Sequence, residues 1–241
     1  MNGLWTVFRH EINQYLTSPV AYLIAAAFLL VTAIVFYSNL TMSVTLSPVN
    51  PAAVPASLSF FLVFFAPVLT MRLLAEESRE GTMELLLTAP VSARAIVLGK
   101  FLSAWAYFSV LLLITLIYQV ILILATTPEL GQSVSAYIGI WLYGGATLAI
   151  GLLFSALTEN QVVAAFLAIS ALLLLWLGDL IGAVVSNLQT AQILRALTLQ
   201  GHYATSFAVG IVRLEDFVFY AAAIVLALFF TIRAVEARRF R

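Results

Sequence analysis

Cysteine is absent from this 241-residue chain, lysine occurs once, and only 9% of the residues are charged. Without cysteine there is no disulfide framework, no thiolate metal site and no cysteine nucleophile. The two histidines, His10 and His202, lie far apart in sequence and form no metal-binding spacing, so no metal site is expected. Eleven basic residues are matched by eleven acidic ones, which leaves no basic excess for a nucleic-acid partner. No glycine-rich P-loop occurs: the single lysine, Lys100, follows Gly99 but precedes Phe101 and has no glycine at the required upstream position. Neither Gly-x-Ser-x-Gly nor His-Glu-x-x-His is present, and only one acidic residue, Asp179, falls inside an apolar run, so a membrane-embedded enzyme lacks its parts. No catalytic residue is expected.

Apolar residues fill the chain instead. They make up 63% of it, and the mean hydropathy is +1.08. A surface that faces water needs roughly 25–35% charged residues, so most of this surface must face lipid and the chain reads as an integral membrane protein. Between Glu11 and Arg72 lie 60 residues without a charge, enough for two membrane helices of about 20 residues with a connection. The connection is residues 39–56, polar and broken by Pro48, Pro51 and Pro55. Later charge gaps each hold one helix. The expected fold is all-α, with six spans at about 20–37, 58–74, 101–124, 137–157, 162–181 and 217–235. Continuous runs of this length are unlike the alternating ten-residue segments of a β-barrel. Gly144, Gly145 and Gly151 in the fourth span fit close helix packing. A cleavable signal is disfavoured, because the first apolar run, about 19 residues, exceeds a typical signal core.

Placing the charges along the chain orients it. With a cytoplasmic N-terminus, nine Lys/Arg fall inside (Arg9, Arg72, Arg79, Arg94, Lys100, Arg233, Arg238, Arg239, Arg241) and two outside (Arg195, Arg213), a strong positive-inside bias. Six spans then put both termini in the cytoplasm.

Three segments lie outside the spans. Residues 1–18 place Leu4, Trp5, Phe8, Ile12, Tyr15 and Leu16 at helical spacing, with Arg9, His10, Glu11, Asn13 and Gln14 opposite, which predicts an amphipathic helix flat on the inner leaflet. Residues 75–100 form the main water-exposed loop, since eight of the 22 charges lie between Arg72 and Lys100. Within it Gly81 interrupts, Thr82 can cap, Glu84 suits a first turn and Pro90 ends a short helix from about 83 to 89, whose Met83, Leu86 and Leu87 make an apolar face. Ser92 then caps the next helix. The outer segment 186–215 is moderately apolar and predicts short helices resting on the outer leaflet. Asp179 falls near the outer end of the fifth span, where an interfacial role is the simpler reading. Thr115, Gln119, Ser109, Ser155 and Ser170 are candidates to line a pathway together with Asp179, although hydroxyls in membrane helices usually satisfy backbone or neighbouring helices.

The run from Arg72 to Pro90, "RLLAEESREGTMELLLTAP", followed by "IVLGK" at 96–100, resembles the signature of type-2 ABC transporter permeases. Within that family the chain is most similar to the gliding-motility-type and nitrous-oxide-reductase-maturation-type branch, through "FRHEINQYLTSPVAYL" near the N-terminus and "HYATSFAVGIVRLEDFVFY" before the last span. The resemblance implies a half-transporter in a prokaryotic inner (cytoplasmic) membrane: two permease subunits, identical or related, paired with two separate ATPase subunits that bring ATP and magnesium. It further implies that the first helix is an interface helix, with Trp5, Phe8, Arg9 and Glu11 on it. Glu76, Glu77, Arg79, Glu80, Gly81, Thr82, Met83, Glu84, Leu86 and Leu87 would form the coupling region that docks on the ATPase, acids and Arg79 by polar contact, Met83, Leu86 and Leu87 by apolar contact.

The function expected is an ATP-driven exporter permease. The alternative is a membrane scaffold or mechanical transmitter that uses the ATPase to drive a periplasmic partner. An almost uncharged interior favours apolar, amphipathic or lipid-linked cargo over a small, highly charged substrate.

Overall fold

The computed structural model describes residues 2–45, 49–81, 91–125, 128–184 and 197–238. In chain order these form α1 (Asn2–Thr17), α2 (Pro19–Thr45), α3 (Ala53–Arg79), α4 (Ala93–Ala125), α5 (Leu130–Leu157), α6 (Gln161–Val184), α7 (Leu199–Thr205), a 3-10 turn (Phe207–Val209) and α8 (Leu214–Arg238). No strand occurs among the described residues. Among the described residues six helices, α2 to α6 and α8, are long and apolar enough to cross a membrane. The protein is a multi-pass membrane protein.

Two of the six make the centre. Of their most apolar stretches, 61% of α3 and 72% of α5 is buried, against 17% of α6 and 22% of α2. The glycines of α5 explain why it can sit there. A Cβ at Gly151 would lie 2.3 Å from the Thr70 hydroxyl oxygen of α3, and one at Gly144 would lie 2.3 Å from the Phe108 ring of α4. Only hydrogen fits at these positions, so neighbouring helices approach α5 on two sides. The outer faces of α2, α4, α6 and α8 expose Leu23, Leu113, Phe166 and Phe229, as a lipid-facing shell requires.

Several boundaries differ from the sequence expectation, each for a local reason. Hydropathy ends a span at the first polar residues, whereas the hydrogen-bonded ladder continues past them, so α3 runs from Ala53 to Arg79 and α4 from Ala93 to Ala125. The proline-rich connection is correspondingly shorter than 39–56. Pro55 sits in the first turn of α3, where no intrahelical N–H is needed. Asn50 closes the turn, its Oδ1 accepting from the Ala52 amide at 2.9 Å and its carbonyl accepting from Asn39 Nδ2 at 2.8 Å. Ser92 caps α4 as expected, its Oγ accepting from the Ala95 amide at 3.2 Å. The outer segment departs more. Leu199, Tyr203 and Phe207 are buried, and Phe207 packs on Gly139 of α5, so α7 and the 3-10 turn are built into the bundle. Residues 185–196 of that segment lie outside the described residues.

Candidate functional site

The residues that carry the charge of the chain converge where α1, the end of α3 and the start of α4 meet. α1 reaches α4 because Gly99 lets it: a Cβ there would stand 2.8 Å from Val7 Cγ1 and 3.2 Å from the Leu4 carbonyl. The next residue, Lys100, is 2% exposed. Its Nζ donates to Glu11 Oε1 of α1 at 2.6 Å and to Glu77 Oε1 of α3 at 2.7 Å. Glu11 is itself 4% exposed, so one buried cation bridges two carboxylates from two other helices. A buried charge is tolerable only when paired and hydrogen-bonded, which makes each member dependent on the others.

Glu11 therefore faces the opposite way from the amphipathic expectation. The inward line of α1 runs through half-buried Val7, which meets Gly99, and buried Glu11 and Tyr15, four residues apart, while Trp5, at 61%, and Leu16, at 55%, are exposed. A glutamate on that line is acceptable because Lys100 meets it. Trp5 stacks on Phe8 with centroids 5.2 Å apart, and Arg9 is exposed.

Tyrosines complete the joint. Tyr15 stacks on Tyr107 of α4 at 4.8 Å and donates its hydroxyl to the Leu69 carbonyl of α3 at 3.0 Å. Burial, reinforced by the nearby Glu11 carboxylate, holds the Tyr15 phenol well above its ordinary pKa, so it stays a neutral donor. Tyr107 donates to the Ala21 carbonyl of α2 at 2.6 Å, and Tyr22 to the Leu16 carbonyl at the end of α1 at 2.6 Å. Four helices are thus tied within two turns of Lys100.

The flanks of the expected coupling region are both at this joint. Glu76 and Glu77 are half-buried, and Arg79, Glu80 and Gly81 are exposed. Gly81 ends α3 with φ at +71°, the left-handed conformation that favours glycine after a helix C-cap. Thr82, Met83, Glu84, Leu86 and Leu87 lie outside the described residues, which resume just before Ala93 at the head of α4.

The candidate pathway residues occupy helix contacts. Gln119 donates to the Pro51 carbonyl at 2.8 Å and accepts from Ser133 at 2.9 Å. Thr115 donates to the Leu112 carbonyl and to the Tyr137 hydroxyl, which in turn donates to the Thr115 carbonyl. Ser155 of α5 enters the backbone ladder of α3: it accepts from the Leu74 and Ala75 amides, both at 3.1 Å, and donates to the Met71 carbonyl at 2.9 Å. Asp179 is half-buried toward the end of α6, remote in sequence from these contacts. Ser155→Ala is expected to cost about 1 kcal/mol of stability, the net worth of a replaced hydrogen bond when the helix amides can return to their own carbonyls. A thermal melt in detergent measures it, and a loss well above that would show that the hydroxyl is essential to the ladder of α3.

Two residues of the joint escaped the sequence reading. Lys100 carried a signal, being the sole lysine and standing at the head of an apolar run. Tyr15 carried none beyond its apolar spacing, since its partners Leu69 and Tyr107 are distant in sequence.

A family model described as "ABC-2 family transporter protein" matches residues 5–233. The chain is also 30% identical over 128 residues to proteins named "Probable multidrug ABC transporter permease YbhS" from Escherichia coli strains K12 and O157:H7. That match covers 51% of this chain and 33% of each relative, so it spans about a third of the relatives' length.

Proposed function

Because the chain belongs to the ABC-2 transporter family, we propose that it is a permease subunit of an ABC exporter, pairing with a second permease subunit and driven by separate ATPase subunits that bind ATP and magnesium. The observation that carries this reading is the buried Lys100 bridge. It joins the first helix to both flanks of the segment 82–90, the segment proposed to dock on the ATPase.

The mechanics follow from rigidity. A docked segment moves the permease only if its ends are fixed to elements that move as bodies. Here Glu77, four residues before the segment's Gly81 stop, and Lys100, on the helix that follows, are held together through one ammonium group and braced by α1. Closure of the ATPases would displace α3, α4 and α1 together, and the Ser155 and Gly151 contacts would pass that displacement from α3 to α5. The basic excess on this side supports placing it in the cytoplasm of a prokaryotic inner membrane, with outward transport. The apolar interior and the multidrug name of the relatives support apolar or amphipathic cargo.

Gly99→Leu tests this mechanism. The leucine side chain would force α1 off α4, so the complex should still insert, copurify with its ATPase and hydrolyse ATP, while substrate-stimulated hydrolysis falls to the basal rate in proteoliposomes. Full stimulation in the variant would overturn the proposed transmission. Copurification of the wild-type chain with no P-loop ATPase would overturn the exporter reading altogether.

A further inference from the structure

Two concavities of opposite character follow one another along α3. A polar cleft of about 570 Å3 opens between α1, α3 and the start of α4, with Ser18 at the α1–α2 link and Arg72, Glu76 and Glu80 of the α3 end on its wall. An apolar groove of about 290 Å3 runs between α2 and α3, lined by Leu23, Ala27, Phe61, Phe64 and Val68. Val68 precedes Arg72 by four residues and Ser18 precedes Leu23 by five, so at about 1.5 Å per residue the two cavities adjoin within about 6–8 Å.

Along α3 and its C-cap the residues Phe64, Val68, Arg72, Glu76 and Glu80 recur every fourth position, a stripe in which each neighbours the next while it winds about 160° around the helix from the groove to the cleft. Read outward from the bilayer, the stripe presents hydrocarbon, then a cation, then two anions. An aminophospholipid presents the complementary series: acyl chain, phosphate, ammonium. We propose that groove and cleft together bind one phospholipid with an ethanolamine-type headgroup. Its chain lies between α2 and α3, its phosphate meets Arg72, and its ammonium meets Glu76 and Glu80.

The state of these groups supports the fit. Arg72 is half-buried; it reaches Ser18 Oγ only at 3.4 Å and lies 5.7 Å over the Tyr15 ring, which leaves most of its five N–H donors for a phosphate. No ion pair links Arg72, Glu76 or Glu80 to another described residue, whereas Lys100 is engaged by Glu11 and Glu77. The cleft thus holds two more carboxylates than cations. A phosphatidylglycerol headgroup would add negative charge there and leave both glutamates unanswered. Phosphatidylcholine offers a quaternary ammonium with no N–H to donate. The site goes beyond the permease reading, which names no ligand, and does not depend on it.

The test uses the full-length chain, delipidated in detergent, equilibrated with equimolar dioleoyl phosphatidylethanolamine, phosphatidylcholine and phosphatidylglycerol, and weighed by native mass spectrometry without any ATPase. One phosphatidylethanolamine should be retained about tenfold over either competitor, the scale of one charge-assisted hydrogen bond. Arg72→Gln should reduce retention of all three lipids. Glu76→Gln with Glu80→Gln should keep phospholipid but equalise ethanolamine and choline headgroups, and Ala27→Phe should exclude the chain. Equal retention of the three lipids by the wild type, preference for phosphatidylglycerol, or an unchanged ethanolamine preference in the double variant would overturn the proposal. The double variant, at half-buried and exposed positions, decides the matter if Arg72→Gln fails to fold.

Discussion

Replacing Lys100 with methionine should destabilise the protein by about 3–5 kcal/mol, the range for removing one partner of a buried ion pair. The reason is geometric. Methionine fills much the same volume, so little packing is lost, but Glu11 and Glu77 would then be left facing each other with no cation between them. Two neighbouring carboxylates at low exposure repel and are poorly solvated, and one of them must take up a proton or the helices must part. The measurement is the unfolding midpoint in detergent, compared with a triple variant carrying Lys100→Met, Glu11→Gln and Glu77→Gln. The triple variant should recover much of the loss, because replacing a buried charge group entirely by neutral side chains is often close to neutral. A single variant as stable as the wild type would show that Lys100 does not bridge. Lys100→Arg should recover the charge but not the fit, since a planar fork cannot sit between two carboxylates at 2.6 and 2.7 Å as a compact ammonium does.

Gly139→Ala should have the second large effect, about 1–3 kcal/mol, at the opposite end of the bundle. The added Cβ would lie 2.3 Å from Phe207 Cβ and 2.4 Å from its Cγ. Those atoms are next to the backbone, so no rotation of the Phe207 ring relieves the contact and the 3-10 turn itself must move. Gly131→Ala, on the same helix with nothing within 4 Å, is the control and should be neutral or slightly stabilising through helix propensity. The natural absence of cysteine supplies a direct readout. Ser206→Cys, at a fully buried position beside the turn, should react slowly with a membrane-impermeant maleimide in the wild type and faster with Gly139→Ala, while Val209→Cys, already exposed, should react alike in both. Equal protection of position 206 in both backgrounds would show that the turn stays docked despite the substitution.

Much of the architecture was legible in the sequence because the bilayer imposes a length scale on it. Runs of about 20 apolar residues between charges can be satisfied only by spanning helices, so six of them and an all-α class follow from spacing alone. The stop at Gly81 and the cap at Ser92 were legible for a different reason, each being set by one residue's local chemistry. Contacts across the fold were not. The pairing of Glu11 with Lys100 spans 89 residues, and nothing within the helical pattern of residues 4 to 16 reveals that the glutamate side is the buried one. Likewise the hydroxyl of Ser155 and the amide of Gln119 read as candidate pathway groups in isolation, whereas their distances to α3 and to Pro51 place them in the joints between helices.

The sequence by itself determined that this chain lies in a membrane, how many times it can cross, and that its charges are densest between Arg72 and Lys100, since each follows from local composition against a fixed bilayer thickness. Only the tertiary structure decided which charge faces inward, which helices are central, and that a charged cleft adjoins an apolar groove along α3. Those depend on which side of one helix meets which side of another, and a helix surface can be buried on any face for which a partner exists.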